Sequence, residues 1–496
     1  MSTYKSSIFN YIFNSANAVI MIVNGIVMVP IYFHYMSVST YGAWLATGNM
    51  VAMLGIIESG FASVITQKMS VAITTGNEIY FRKLAGANLI TGLLFAAVIL
   101  AVGLAISPFV TDWVNVDVED RSAINVSFII ALVSSCISLC VSLLCSFSQV
   151  WQDTKIMGMI GTITNVFSIL SLLCFLLCGC GVVSIALSYL VRAVCNLLFQ
   201  GGYTLKLWKK RNLQRPIVDV LTIKELFKAC LYPFLSKLSG VFMGHSQSFI
   251  IAHFMNPTLA AVYDITTKVC GVACTFVSQT NGSFFALFSL TLASKDKEKI
   301  NSVFRNTSFF FFFSLFSVGL YSLCFSEPVI RYWVGLDKYG GAMLLSVAVF
   351  AKIVSQIRSY FNNIIYTGGL INKSAKLDIL CTFLYVVVLL IIIKGTQIYA
   401  IPIATSISCL VFLIWYVLII KKHLLIRIRP IIKIALKSIL ITIPFVLLHF
   451  ICQFDYNQIL TYAVYVVLFS VIYLGTIYLL NKEMTNQIFI KLFKHR

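Results

Sequence analysis

The sequence predicts an all-α integral membrane protein of about 14 transmembrane helices, arranged as two pseudo-symmetric six-helix bundles plus an appended C-terminal helix pair. Three observations carry that prediction. The 496-residue chain is 59% hydrophobic and only 11% charged, more apolar surface than a soluble fold of this size hides. Its apolar residues gather in stretches of about 20 or more, the length a helix needs to cross a bilayer. Two short patterns also recur at one offset of about 220 residues, which is the mark of an internal repeat.

The predicted spans run, in order, over 8–33, 41–66, 84–108, 124–150, 156–178 and 181–205, then 229–254, 259–291, 306–326, 342–367, 377–394 and 400–420, and finally 434–452 and 459–480. The first segment is too long for a cleavable signal and is dotted with Asn, so it reads as a mature helix. The repeat aligns Phe33-His34-Tyr35-Met36 with Ala252-His253-Phe254-Met255, and Pro108 with Trp113-Val114 against Pro328 with Trp333-Val334. Both pairs fall at equivalent topological places. The organisation expected from this is an N-terminal bundle over 1–205, a basic cytoplasmic linker over 206–228, a C-terminal bundle over 229–420, and an extra helix pair with a tail over 421–496.

Loop charge sets the orientation. One set of loops holds Lys68, Arg82, Lys83, then Lys206, Lys209, Lys210, Arg211, Arg215, then Lys295, Lys297, Lys299, Arg305, then Lys421, Lys422, Arg427 and Arg429. The other holds Asp112, Asp117, Glu119, Asp120, Glu327, Asp337 and Asp455. Positive loops face the cytoplasm, so both termini are expected there. The net charge of +20 is mostly this topology signal. It does not point to nucleic acid, because the bases are scattered over short loops.

Seven charged side chains lie at least five residues from either end of a predicted span: Arg192, Lys237, Lys268, Lys352 and Arg358, against Glu58 and Asp264. A charge at bilayer depth is costly unless it meets water, a partner or a substrate. The excess of bases invites an anionic cargo, because charge-assisted hydrogen bonds replace the hydration that such a cargo loses. Arg192 and Lys352 sit about 11 residues from a span end, roughly 16 Å along a helix, which makes snorkelling to the interface difficult. Asp264 precedes Lys268 by four residues and is spaced for an ion pair on one helix. Glu58 has no such neighbour; it is read either as a coupling carboxylate able to hold a proton or as a counter-ion to one of the bases.

Helical spacing adds polar stripes. Asn10, Asn14, Asn17 and Asn24 share one side of the first span, and Ser188, Arg192 and Asn196 repeat every four residues. Lys237, Gly240, Gly244 and Ser248 share a face, as do Lys352, Gln356, Ser359 and Asn363, with Arg358 and Asn362 at the flank. Lipid rejects such faces, so they line a lumen or bond neighbouring helices. The lumen-lining set is Asn14, Asn17, Asn24, Asn196, Gln356 and Asn363. The 14 cysteines read as small buried hydrophobes, and neither a metal site nor a cofactor is expected.

The two six-span halves, Tyr41-Gly42 with Trp44 at the start of span 2, and Glu58-Ser59-Gly60 deeper in it resemble the polysaccharide exporters of the multidrug/oligosaccharidyl-lipid/polysaccharide superfamily, above all the O-antigen flippases often called Wzx. The resemblance covers roughly residues 5–425. It implies a transporter, not an enzyme, in a bacterial inner membrane. Its cargo would be an oligosaccharide on undecaprenyl diphosphate, moved from the cytoplasmic to the periplasmic leaflet by alternating access, with the site between the halves near the midplane. It also implies Glu58 at a position where an acid is common, and membrane lipids, H⁺ or Na⁺, and other polysaccharide assembly proteins as partners. The first span lacks the carboxylate of the drug-exporting cousins. The extra helix pair makes a lipid II flippase the main alternative, beside a small-solute or drug antiporter. A polysaccharide polymerase fits less well, since no outer loop exceeds roughly 16 residues.

Overall fold

A computed structural model of the chain describes residues 20, 24–54, 57–151, 153–293, 296–424, 426–452 and 459–482. The described residues are helical almost throughout. Helix α1 covers 24–35. It is followed by α2 (Val38–Leu54), α3 (Ile57–Thr74), α4 (Glu78–Trp113), α5 (Arg121–Val150), α6 (Thr154–Leu177), α7 (Val183–Lys210) and α8 (Val220–Phe254). Then come α9 (Pro257–Ala293), α10 (Lys297–Trp333), α11 (Gly341–Thr367), α12 (Ile371–Thr396), α13 (Ala400–His423), α14 (Ile428–Cys452) and α15 (Ile459–Leu480).

Among the described residues, nine stretches are long and apolar enough to cross a membrane, and one of them, Ile371–His423, runs through both α12 and α13. The chain is a multi-pass membrane protein. Helix α8 has ample length at 35 residues but is too polar to count among the nine, because Lys237, His245 and Gln247 interrupt it.

Local chemistry sets the helix ends. The Asn77 side chain accepts the Tyr80 amide at 3.0 Å to start α4, and Asp296 accepts the Glu298 and Lys299 amides to start α10. Asp219 starts α8 by accepting the Thr222 hydroxyl at 2.6 Å and its amide at 3.2 Å. That hydroxyl, followed by the amide and by Lys83, holds the Asp219 carboxyl below the usual carboxylate range. The two Pro-x4-Trp-Val patterns end their helices alike. Helices α4 and α10 stop at Trp113 and Trp333, and Val114 and Val334 bond back to the carbonyls of Val110 and Ile330. The next residues, Asn115 and Gly335, take positive φ of 53° and 93°.

The described residues pack as two compact units that divide between Asp264 and Ile265. In the first, α5 packs on α7 and α4, and α8 packs on α2, α3 and α4. Its core gathers Phe61, Ile65, Met69, Phe81, Phe147 and Leu226. Buried amides tie the helices: Asn88 donates to the Leu143 carbonyl at 3.1 Å, and Gln200 to the Ser148 hydroxyl at 2.7 Å. Such bonds are worth on the order of 0.6 kcal/mol each between membrane helices. In the second unit, α11, α12 and α13 interlock, and α14 packs along α10. Phe288, Phe304, Phe311 and Tyr360 form one core. Phe309, Phe325, Phe469 and Tyr473 form another, which joins α15 to α10.

Candidate functional site

Each unit carries a polar helix face of its own. In the first, α2 and α8 meet through Asn49, which donates to the Ser248 hydroxyl at 3.2 Å and pairs with His245 Nδ1 at 3.0 Å. On α8, Gly240 and Gly244 open onto free space. Lys237, one turn toward the N-terminal end, is exposed and has no hydrogen-bond or ion-pair partner among the described residues. Asn24 on α1 is half-buried, and its Oδ1 is unpaired among the described residues.

The Ser188–Arg192–Asn196 stripe of α7 turns toward α6. Ser168 donates to the Ser188 carbonyl at 3.2 Å, and Thr164 donates to Asn196 Oδ1 at 3.1 Å. Asn196 therefore bonds two helices together. Arg192, between these two steps, is half-buried and unpaired among the described residues.

In the second unit, α9 and α11 form a parallel polar ladder. Gln356 donates to the Ser278 hydroxyl at 2.8 Å, and Asn363 Nδ2 donates to Asn281 Oδ1 at 3.0 Å. One turn before Gln356, the half-buried Lys352 lies within electrostatic reach of the Cys270 and Cys274 thiols of α9. Lys268, also on α9, is half-buried. The ladder thus sets the Lys352 cation beside several amides and hydroxyls.

Arg358 differs from the other bases and corrects the sequence reading. It lies about 200° around α11 from Gln356 at 100° per residue, so it faces α12 and α13 instead of α9. Its Nη1 donates to Asp378 Oδ1 at 2.6 Å, and both side chains are buried, at 10% and 4% exposure. The Tyr416 hydroxyl donates to the same oxygen at 2.7 Å, and Asn362 donates to the other carboxylate oxygen at 3.0 Å. A buried base with a carboxylate of its own is structural in character. Asp378 is the second residue of the predicted span 377–394, and a charge so near a span end carries no sequence signal of a buried partner.

Asp264 also has a partner that spacing did not suggest: it accepts the Tyr41 hydroxyl. Tyr41 is buried and packs beside Tyr32, with the rings tilted and their centroids 5.8 Å apart. A Cβ on the adjacent Gly42 would overlap the Pro257 carbonyl at the start of α9. The Tyr-Gly-x-Trp pattern therefore docks α2 onto the first turns of α9. Asn14, Asn17 and the Glu58 side chain lie outside the described residues.

The first unit also holds a cavity of about 810 Å³ lined by Tyr35, Thr40, Asp117, Glu119, Asp120 and Gly181. Ser39 donates to Asp117 at 2.8 Å, and Thr40 donates to Asp120. Its carboxylates are the wrong sign for an anionic ligand. Among the described residues no group of three or more His, Cys, Asp or Glu could hold a metal ion.

The family is decided by a match of residues 16–340 to the model of a polysaccharide biosynthesis protein family. The chain belongs to that family. None of the curated proteins compared with it matches in sequence.

Solved structures share the family member's fold. An inward-facing multidrug resistance MATE family transporter of the MOP superfamily superposes with TM-score 0.69 at 14% identity, covering 82% of this chain and 95% of its own. The lipid II flippase MurJ, in an inward closed conformation, gives TM-score 0.69 at 13% identity and covers 96% of this chain and all of its own. A MATE transporter from Vibrio cholerae gives 0.61 at 13% identity, covering 86% and 99%.

Proposed function

We propose that this polysaccharide biosynthesis family member is a flippase for lipid-linked oligosaccharide. It moves repeat units carried on undecaprenyl diphosphate from the cytoplasmic to the periplasmic leaflet of a bacterial inner membrane by alternating access. The observation that carries the reading is the pairing of the family with unpaired cations on polar helix faces, Lys237 in the first unit and Lys352 in the second. A diphosphate leaving water needs such donors. The hydroxyls and amides around them, Ser278, Gln356 and Asn363, suit sugar hydroxyls. Both termini lie in the cytoplasm on this reading, and Glu58 handles charge or protons.

A second reading, a lipid II type of cargo, draws on coverage. The lipid II flippase spans 96% of this chain, against 82% for the first MATE transporter. The two readings share the polyprenyl diphosphate and differ in the glycan. Deleting the gene and identifying the lipid-linked glycan that accumulates in the cytoplasmic leaflet separates them. Accumulation of an O-antigen-type unit supports the first reading. Accumulation of lipid II supports the second, and accumulation of neither contradicts both.

A further inference from the structure

The start of α8 has chemistry that cargo transport does not use. Helix α8 is 35 residues long, about 52 Å at 1.5 Å per residue, against a hydrocarbon core of about 30 Å. Its first turns therefore project beyond the core. Their inner side is buried: Thr222, Leu226 and Cys230 are 5%, 0% and 5% exposed. Their outer side combines apolar and basic groups. Val220, Leu221, Phe227 and Leu231 are 75%, 71%, 44% and 50% exposed. Lys224 and Lys228 lie on the same side at 100° per residue, and Glu225 sits at its edge. At the end of α7, Lys206, Lys209 and Lys210 are exposed as well. None of these five lysines has a carboxylate partner among the described residues.

This surface is held in place. Residues 214–219 form a strap on α4. Arg82 donates to the Arg215 carbonyl at 2.9 Å and to Gln214 at 2.5 Å, and Ile217 donates to the Arg82 carbonyl at 3.0 Å. Lys83 meets Asp219 at 3.4 Å. A Cβ on Gly86 would collide with the Ile217 carbonyl, so the strap lies directly on the helix. The neighbouring aromatics have the amphipathic character of a membrane interface: Trp208 packs on Phe147 with centroids 5.4 Å apart, and Arg211 covers Trp151 at 5.6 Å.

We propose that the first three turns of α8, with the end of α7, form a preorganised face that binds anionic phospholipid headgroups at the membrane surface. The apolar side chains enter the acyl boundary and the lysines meet the phosphates. Each lysine near an anionic surface is worth about five-fold in binding. The face identifies a lipid surface rather than a soluble partner because exposed apolar and basic groups alternate along one helix side.

The test uses the full chain, delipidated in mild detergent and titrated with phosphatidylglycerol or phosphatidylcholine, with bound lipid counted by native mass spectrometry. The wild type is expected to retain phosphatidylglycerol preferentially. The Lys224→Gln/Lys228→Gln pair should reduce that retention about ten-fold or more, while Lys224→Arg/Lys228→Arg keeps it. Leu221→Ser/Leu231→Ser should weaken binding of both lipids. Removing equal charge at Lys421 and Lys422 should leave the preference in place. Equal retention of the two lipids by the wild type, or an unchanged preference in the Gln pair, overturns the proposal. No cargo is involved, so the result is independent of the flippase reading.

Discussion

Arg358 and Asp378 form a 2.6 Å ion pair between α11 and α12, and Tyr416 closes it from α13. Three helices of the second unit thus meet at one carboxylate. Removing either charge leaves the other buried and unmatched, at a cost of about 3–5 kcal/mol. Arg358→Ala and Asp378→Ala should each lower thermal stability in detergent by that order. The double change Arg358→Met/Asp378→Leu should recover most of the loss. If the single variants unfold like the wild type, the pair has no structural role.

Gly42 is a packing residue by the same reasoning. Any side chain there meets the backbone oxygen of Pro257, which cannot swing aside. Gly42→Ala should cost about 1–3 kcal/mol and loosen the Tyr41–Asp264 bond. Gly48, whose nearest neighbours are carbons of the Trp44 ring at 3.7 Å, is the control position. Equal melting temperatures for Gly42→Ala and Gly48→Ala would contradict the close approach.

Export should depend on the unpaired cations more than on the paired one. Lys237→Ala, Lys352→Ala and Arg192→Ala should reduce surface glycan about ten-fold or more at normal protein level, in line with the loss of a charge-assisted bond. Lys352→Arg and Arg192→Lys should retain more than the Ala variants. Glu58→Gln should impair export, and Glu58→Asp should do so less. Surface glycan read by lectin binding checks all of these. Full export by the Gln variant removes Glu58 from charge or proton handling.

Orientation is tested by single cysteines in a cysteine-free background. Position 210, in the basic loop, should resist an impermeant thiol reagent in intact cells, and position 119, in the acidic loop, should react. Labelling at 210 from outside reverses the topology.

Much of the architecture was legible because apolar length is a one-dimensional signal. The Pro-x4-Trp-Val pairs were legible for a similar reason: the Trp ends its helix, and the residue after the Val, Asn115 or Gly335, takes positive φ. Partner choice was harder to read. Asp264, spaced for Lys268 one turn away, also accepts the hydroxyl of Tyr41, more than 200 residues away in sequence. Asn196 shares a stripe with Arg192, yet its amide bonds Thr164. Arg358 shared a helix with the α9-facing polar stripe and turned out to face away from it, because six residues beyond Lys352 is about 240° around the helix. Periodicity tells which residues share a side; it does not tell which helix lies there.

The most direct test of the central claim is transbilayer movement in proteoliposomes containing only this chain. Undecaprenyl-diphosphate oligosaccharide, extracted from the deletion strain, is loaded in one leaflet, and its arrival in the other is followed by accessibility to an impermeant lectin. The account predicts movement well above that of protein-free vesicles, and a large drop with Lys237→Ala or Lys352→Ala. Movement no faster than in empty vesicles, or equally fast with both lysines removed, contradicts it.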